Sequence, residues 1–397
     1  MNVLFVLEYY PPHLGGIQIV FENVAERLAA RGHHVSVVTS KTEGTPAYEY
    51  RNGVHVYRSR VFGPLDRYTF AVTGIPKALS LAKEADIIHT STWAGCFPAW
   101  LARMLRNKPT VMTVHEVFSP VWNISDRGFA DRTIHKVLER AIYSLSFDRY
   151  TTVSGFTKEC LVEQGKDPDI VDVVYNGIDD ALFDERGVDE RLLREQLDLD
   201  DTFVYTYYGR PGFSKGVDDL VRAVPAVAAE IPDSTLLLIL GKTPPHRFER
   251  IRRLISELGV EDNVTLIDPV PRSDLPHYVG GSDCVVIPSL QEGFGFTAAE
   301  ASALGVPVVA TTAGSLPEVV SGTHCLVEPQ NPASIAQGIV DVYHGKAAET
   351  PRKTFDWDRT VDAYLAVYES VLGTQPVAPL DSAVSRRNGQ RRSVNRR

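Results

Sequence analysis

The sequence predicts an α/β protein made of two parallel-sheet domains, and three observations carry that prediction. A chain of 397 residues is too long for one ordinary hydrophobic core and suits two. β-Branched apolar runs alternate with helix-period patterns along most of it, the signature of repeated βαβ units. One such unit, CVVIPSLQEGFGFTAAEASALGVPVVAT from Cys284 to Thr311, is legible almost residue by residue.

In that unit Cys284 to Pro288 reads as a buried strand and Pro307 to Thr311 as a second. Thr297 followed three residues later by Glu300 is a capping-box pattern, so the helix between the strands is expected to start at Thr297 and stop at Gly305. The loop Gln291-Glu292-Gly293-Phe294-Gly295-Phe296 falls at the carboxyl end of a strand and the amino end of a helix, where open α/β sheets bind ligands. Gly293 and Gly295 let backbone N–H groups approach an anion, and the helix terminus around Gly295, Phe296 and Thr297 leaves further donors for negative charge. Glu292 and Glu300 stand beside this anion site. Carboxylates accept hydrogen bonds from hydroxyls while N–H groups take phosphate, which suits a sugar nucleotide. Glu300 has a second reading, as nothing more than the capping partner of Thr297.

From the start of the chain, Asn2 to Glu8 is the first strand and the loop YYPPHLGGIQ leads to a helix over roughly Ile19 to Arg31, with Val20, Val24, Leu28 and Ala29 on its apolar face. Gly32 ends it, and HHVSVVTS is the second strand. Gly15-Gly16 lies in this first turn without completing G-x-G-x-x-G, so it is either a tight turn or a phosphate-facing one. VHVYRSR and ADIIHTST are further strands, followed by a helix near Pro98 to Arg106 and the strand PTVMTVHEV, which puts His115 at a carboxyl end. The next loop carries Phe118, Trp122 and Phe129 as candidate exposed aromatics. The helix after it has Ile134, Val137, Leu138, Ala141, Ile142 and Leu145 on one face, expected to be core. Another strand and helix follow, and VDVVYNGID closes the first domain near Asp184.

The second domain opens with a polar helix and the strand Phe203 to Tyr208, which runs into Gly209-Arg210 with Lys215-Gly216 close behind. Two cations at a strand's carboxyl end can neutralise a diphosphate, and they also fit a solvated pair. STLLLILG is the next strand, and NVTLIDPVPRSDLPHYVGGSD gives a strand, a loop around Val270 and a short helix. After the central unit come a turn at Gly314 to Glu318, a strand, a helix, and a last helix over Trp357 to Leu372.

Composition narrows the class. No apolar run approaches the ~18 residues a membrane span needs, and MNVLFVLEYYPP reads as a strand rather than a signal peptide, so a cytoplasmic location is expected. Cys96, Cys160, Cys284 and Cys325 form no CxxC pair and are read as buried thiols. The histidines show no H-x3-H or H-E-x-x-H arrangement, so no metal site is expected. The net charge of −9 is uneven: residues 374–397 carry +5, leaving −14 for residues 1–373, which argues against general nucleic-acid binding. The tail RRNGQRRSVNRR is expected to be disordered, with an anionic membrane or RNA as its alternative partner.

Glu292 and Glu300 in the setting EGFGFTAAEASALGVPVVAT, together with G-R-x4-K-G at Gly209 to Gly216, resemble the two signatures of the retaining glycosyltransferases of family 4. Gly314-Ser315-Leu316-Pro317-Glu318 resembles that family's G-G-x-P-E turn. The resemblance covers nearly all of residues 1–373 and implies the GT-B fold, two Rossmann-like domains facing across a cleft, with a last helix crossing back to the first. It places an acceptor domain at 1–184, a donor domain at 185–350, the crossing helix at 351–373 and the basic tail at 374–397. It gives Arg210 and Lys215 the leaving diphosphate, Glu292 the sugar hydroxyls, Glu300 the ribose and His115 the far side of the sugar. Gly15 and Gly16 would face the donor phosphate, Gly209 and residues 293–297 would line its site, and the loop at Val270 would lie by the nucleobase. Gly241-Lys242-Thr243 departs from the family's Gly-x-Gly at this point.

The resemblance thus implies a hexosyltransferase that takes a sugar from a UDP- or GDP-sugar without metal or other cofactor. The acceptor is a hydroxyl of a glycan, a lipid-linked sugar or a small molecule, and the aromatic loop leaves room for peripheral contact with a membrane. A non-catalytic nucleotide-sugar-binding subunit and a GT-B sugar-nucleotide epimerase are the alternatives. Oligomeric state is not encoded in any pattern found.

Overall fold

The computed structural model describes residues 1–13, 15–63, 66–119, 121–124 and 128–373. The basic tail at 374–397 lies outside the described residues. The chain divides into two compact units, Met1–Gly177 joined by the segment from Asp356, and Ile178–Phe355. The crossings at Gly177/Ile178 and Phe355/Asp356 fall before Asp184 and after residue 350, the positions expected from sequence.

The first unit is built on eight strands: β1 (Asn2–Val6), β2 (His34–Ser40), β3 (Tyr48–Arg51), β4 (Val54–Ser59), β5 (Ile87–Ser91), β6 (Thr110–Val114), β7 (Arg149–Thr152) and β8 (Val171–Val173). Their order is β3-β4-β2-β1-β5-β6-β7-β8, parallel throughout except for the β3–β4 hairpin. The central strands are buried on both faces, which is why they read as unbroken apolar runs rather than alternating ones. The first helix spans Gly16–Ala30, three residues earlier than the expected start near Ile19. Helix Trp357–Leu372 completes this unit. Thr360 Oγ1 donates to the Tyr175 carbonyl at 2.9 Å, and Arg31 pairs with Asp358 at 2.9 Å and Asp362 at 2.5 Å.

The helix Phe129–Ser144 corrects the sequence reading. Ile134 and Val137 are 56% and 62% exposed, and the buried face is His135, Glu139 and Tyr143. A carboxylate goes inside here because its partners are inside too: Glu139 accepts from the Phe118 N–H at 2.7 Å, the Trp122 indole N–H at 2.7 Å and Ser119 Oγ at 3.2 Å. Trp122 is consequently buried, while Phe129 is 79% exposed.

The second unit has seven strands: β9 (Phe203–Gly209), β10 (Ser234–Leu240), β11 (Val264–Ile267), β12 (Cys284–Ile287), β13 (Val308–Thr311), β14 (Gly322–Val327) and β15 (Ala348–Thr350). They run β11-β10-β9-β12-β13-β14-β15, parallel except for β15. Helix Val217–Glu230 packs Leu220, Val221 and Val224 against Leu236, Leu238 and Val286 of the sheet, forming the main core of this unit. The order reverses between β9 and β12, so the loops leaving these two strands flank a topological switch point, where doubly wound sheets open a crevice. All four cysteines are free thiols, with Cys325 only partly buried. Among the described residues no helix is long and apolar enough to cross a membrane.

Candidate functional site

The switch point of the second unit gathers most of the residues singled out from sequence. The loop after β9 carries Arg210 and Lys215, and Gly216 ends it in a left-handed conformation, φ 65°, at the start of helix Val217–Glu230. A Cβ on Gly216 would strike the Pro288 carbonyl oxygen of the loop after β12, so the two loops approach through a position only glycine can fill. The Leu290 N–H donates to the Ser214 carbonyl at 2.7 Å and fastens them together.

Lys215 reaches across this junction, its Nζ lying 2.9 and 2.8 Å from the two carboxylate oxygens of Glu292. Ser289 Oγ donates to the same carboxylate at 3.0 Å. The backbone of Glu292 is held from the other side, where its carbonyl accepts the Ser315 N–H at 3.0 Å and lies so close to Gly314 that a Cβ there would collide with it. Arg210 is exposed at the start of the loop after β9, and its carbonyl accepts the Tyr207 hydroxyl at 2.9 Å.

Helix Phe296–Ala303 begins one residue before the expected start. Its N-cap is Gly295, at φ 90°, and no side chain caps it. The capping box between Thr297 and Glu300 therefore does not form, because the left-handed Gly295 takes the N-cap position, two residues ahead of Thr297, and the helix starts at Phe296. The first turn, Phe296 and Thr297, leaves its N–H groups without intrahelical partners at the strand edge. Gly293 is buried in the same loop. Phe294 sends its ring into an aromatic cluster, edge-on to Phe296 and Phe355, so only its backbone belongs to the loop surface.

Glu300 is 2% exposed. Tyr208 Oη donates to its Oε2 at 3.1 Å and Arg272 Nη2 to its Oε1 at 2.9 Å. Burial pushes the Glu300 carboxyl up from its ordinary value, with the Arg272 charge and these hydrogen bonds pulling against it. Burial and the Glu300 charge raise the Tyr208 hydroxyl well above its own. Val270 lies partly buried two residues before Arg272, and Gly209 ends β9 with its carbonyl accepting the Gly241 N–H at 2.9 Å.

Tyr208, Arg272 and Ser289 were not singled out from sequence, and neither was an ion cluster beneath the β9 loop, in which Arg247 and Asp218 are buried and Arg250 is exposed. Arg247 Nη2 bonds Asp218 at 2.6 Å, Arg250 bonds the other oxygen at 2.7 Å, and Arg247 Nε donates to the Pro211 carbonyl at 3.2 Å. Only Arg272 left a trace in sequence, as a cation directly after the loop at Val270.

In the first unit, His115 follows β6, next to the switch point between β1 and β5. Its Nε2 is buried and has no hydrogen-bond partner among the described residues, and burial pushes the ring down to about 3. Phe21 packs edge-on against it at 5.6 Å. Gly15 is the N-cap of helix Gly16–Ala30, in extended backbone. Among the described residues no group of three or more His, Cys, Asp or Glu is arranged to hold a metal ion.

The fold and this site define a GT-B glycosyltransferase, an enzyme class that acts on nucleotide sugars, and comparison with known proteins agrees. Residues 14–182 match the family described as Glycosyltransferase Family 4 and residues 189–354 the one described as Glycosyl transferases group 1. The chain belongs to the family 4 glycosyltransferases. It is 29% identical over 395 residues to an uncharacterized glycosyltransferase of Methanocaldococcus jannaschii, covering 93% of this chain and 98% of the relative. It is 29% identical over 397 residues to the D-inositol 3-phosphate glycosyltransferase of Thermomonospora curvata, covering 91% of each. Among solved structures it resembles sucrose-phosphate synthase from Thermosynechococcus elongatus, with TM-score 0.72, 25% identity and coverage of 94% and 97%. It shares its fold with Anabaena HepE, determined in complex with UDP-glucose, at TM-score 0.72, 21% identity and coverage of 94% and 99%.

Proposed function

We propose that this chain transfers a hexose-type sugar from a UDP- or GDP-sugar to a hydroxyl acceptor, with retention of anomeric configuration and without a metal ion. The observation that carries the reading is the grouping of Lys215, Glu292 and Arg210 with the open amino terminus of helix Phe296–Ala303 at one switch point. Breaking a glycosyl–phosphate bond builds negative charge on the leaving diphosphate and positive charge on the sugar ring. Arg210, Lys215 and the N–H groups of Phe296 and Thr297 answer the first, supplying fixed positive charge where the oxygens develop theirs. Glu292, held by Lys215 and Ser289, has its carboxylate fixed to accept from sugar hydroxyls.

Glu300 is assigned the ribose diol, and His115 contacts the sugar, as the family resemblance implies. His115 suits a neutral hydrogen-bonding role, since its ring takes a proton only far below neutral pH. Retention fits a front-face substitution in which the leaving phosphate takes the acceptor's proton, a course that asks no nucleophile of the protein.

The test is thermal stability of the purified chain against UDP, GDP and ADP, with and without Mg²⁺. A ligand at about a hundred times its dissociation constant adds roughly 2.7 kcal/mol. Stabilisation by UDP or GDP that is unchanged by chelator supports the proposal, and a shift that requires Mg²⁺ removes its metal-free part. No shift with any nucleotide counts against the donor site itself.

A further inference from the structure

Glu300 is a costly residue to bury, and the way its cost is met points to a role for Arg272. An ionised carboxylate loses its water when 2% exposed, and it stays charged only if cations or hydrogen-bond donors replace that water. Two side chains do so, one per oxygen: Arg272 on Oε1 at 2.9 Å and Tyr208 on Oε2 at 3.1 Å. A carboxylate has about four acceptor positions, two on each oxygen. By that count one acceptor position remains on each oxygen, enough for the two hydroxyls of a diol.

The two partners are not equivalent. Tyr208 is buried, its hydroxyl also lies 3.3 Å from the Thr297 carbonyl, and it brings no charge. Arg272 stands on the loop after β11, its side chain 43% exposed, with the guanidinium 5.2 Å from the centroid of the Phe183 ring. That stacking holds the cation over the carboxylate without using its N–H groups. Arg272 and Tyr208 are the ionisable groups that act on Glu300.

We propose that Arg272 is a positioning residue for donor recognition, holding Glu300 ionised and oriented so that its free acceptor positions take both ribose hydroxyls and select ribonucleotides over 2′-deoxyribonucleotides. The inference rests on the donor reading above. It adds a residue that neither family signature contains and a selectivity that follows from the geometry. Without the cation, Glu300 would take up a proton at higher pH and offer one acceptor oxygen instead of two.

The experiment is calorimetric titration of the full chain with UDP, GDP, ADP and their 2′-deoxy forms, between about pH 5.5 and 8.5, on wild type, Arg272→Ala and Arg272→Lys. In wild type the best ribonucleotide is expected to bind about tenfold or more tighter than its deoxy form at neutral pH. In Arg272→Ala that ratio should collapse to within about threefold at neutral pH and recover only as the pH rises; Arg272→Lys should restore much of it. A ratio and pH profile in Arg272→Ala that superimpose on wild type would overturn the inference, as would a wild type that binds a ribonucleotide without discriminating. Absence of binding by every nucleotide is a different failure, and it removes the donor reading along with this one. A merely structural role for Arg272 would lower all affinities together and leave the ratio and its pH dependence unmoved, which also overturns the proposal.

Discussion

Lys215 and Glu292 form a two-pronged ion pair, the ammonium within 2.9 Å of both carboxylate oxygens, joining the loop after β9 to the loop after β12. Each side chain is partly open, 33% and 17% exposed, so water screens the pair and it adds only ~0–1 kcal/mol to stability. Its expected value lies in function, where it fixes a cation relative to the carboxylate proposed to bind the sugar. Lys215→Ala and Glu292→Gln should each lower kcat/KM by about 100-fold or more, with unfolding midpoints close to wild type. The double variant should lose much less than the product of the two. Steady-state kinetics on the four proteins checks this, and fully additive losses would mean that the two residues act separately.

Gly216 sets how close those two loops can come. Gly216→Ala should lose at least ~2 kcal/mol of stability, from the strain of φ 65° and from the contact with the Pro288 carbonyl. Nucleotide affinity should fall with it, because relief of the clash separates Lys215 from Glu292. Chemical denaturation with nucleotide titration tests both, and a variant of wild-type stability would show that the junction is pliable.

Much of this was legible in the sequence because the second unit obeys simple rules. Strands buried on both faces appear as unbroken runs, as from Cys284 to Ile287, and a glycine-rich turn between strand and helix marks a ligand edge. The misses have physical causes. The Thr297–Glu300 spacing mimics a capping box, yet Gly295, free to adopt φ 90°, starts the helix first. Tyr208 and Arg272 come from elements 92 and 28 residues from Glu300, so no local pattern could pair them with it. Helix Phe129–Ser144 misled because periodicity assumes that apolar residues face inward, whereas a carboxylate with three waiting donors outcompeted Ile134 and Val137 for the interior.

Acid should weaken the first unit through two histidines, the buried His89 and the partly buried His115. His89 and His115 are both pushed down to about 3 by burial, from an ordinary value near 6.5. The unfolded chain takes up these protons below about pH 6.5 while the folded chain does not, so stability is full above that pH and drains away between about 6.5 and 3. At pH 5 the loss is about 2 kcal/mol for each histidine. His89 also bridges Tyr368 at 2.6 Å and Thr113 at 2.7 Å, so His89→Gln should lower stability at every pH while flattening its fall. Unfolding measured at pH 7, 6 and 5 separates the two effects, and parallel curves for wild type and variant would exclude His89 as a titrating group.

Glu139 makes the opposite case, a buried acid whose role is to hold an aromatic loop. Burial raises its carboxyl, and the Trp122 indole, the Phe118 N–H and the Ser119 hydroxyl pull it back down. Glu139→Leu would fill the volume but leave the indole and backbone donors without acceptors, at ~1–3 kcal/mol for each buried group. Glu139→Gln keeps one acceptor oxygen and should cost less. The loop it anchors begins two residues after His115, so loosening it should raise KM for the acceptor while leaving nucleotide affinity, which the proposed function assigns to the second unit, near wild type. Kinetics with varied acceptor, beside calorimetry with nucleotide alone, distinguishes these effects. An equal loss of both would mean that Glu139 supports the fold of the first unit as a whole rather than the acceptor loop.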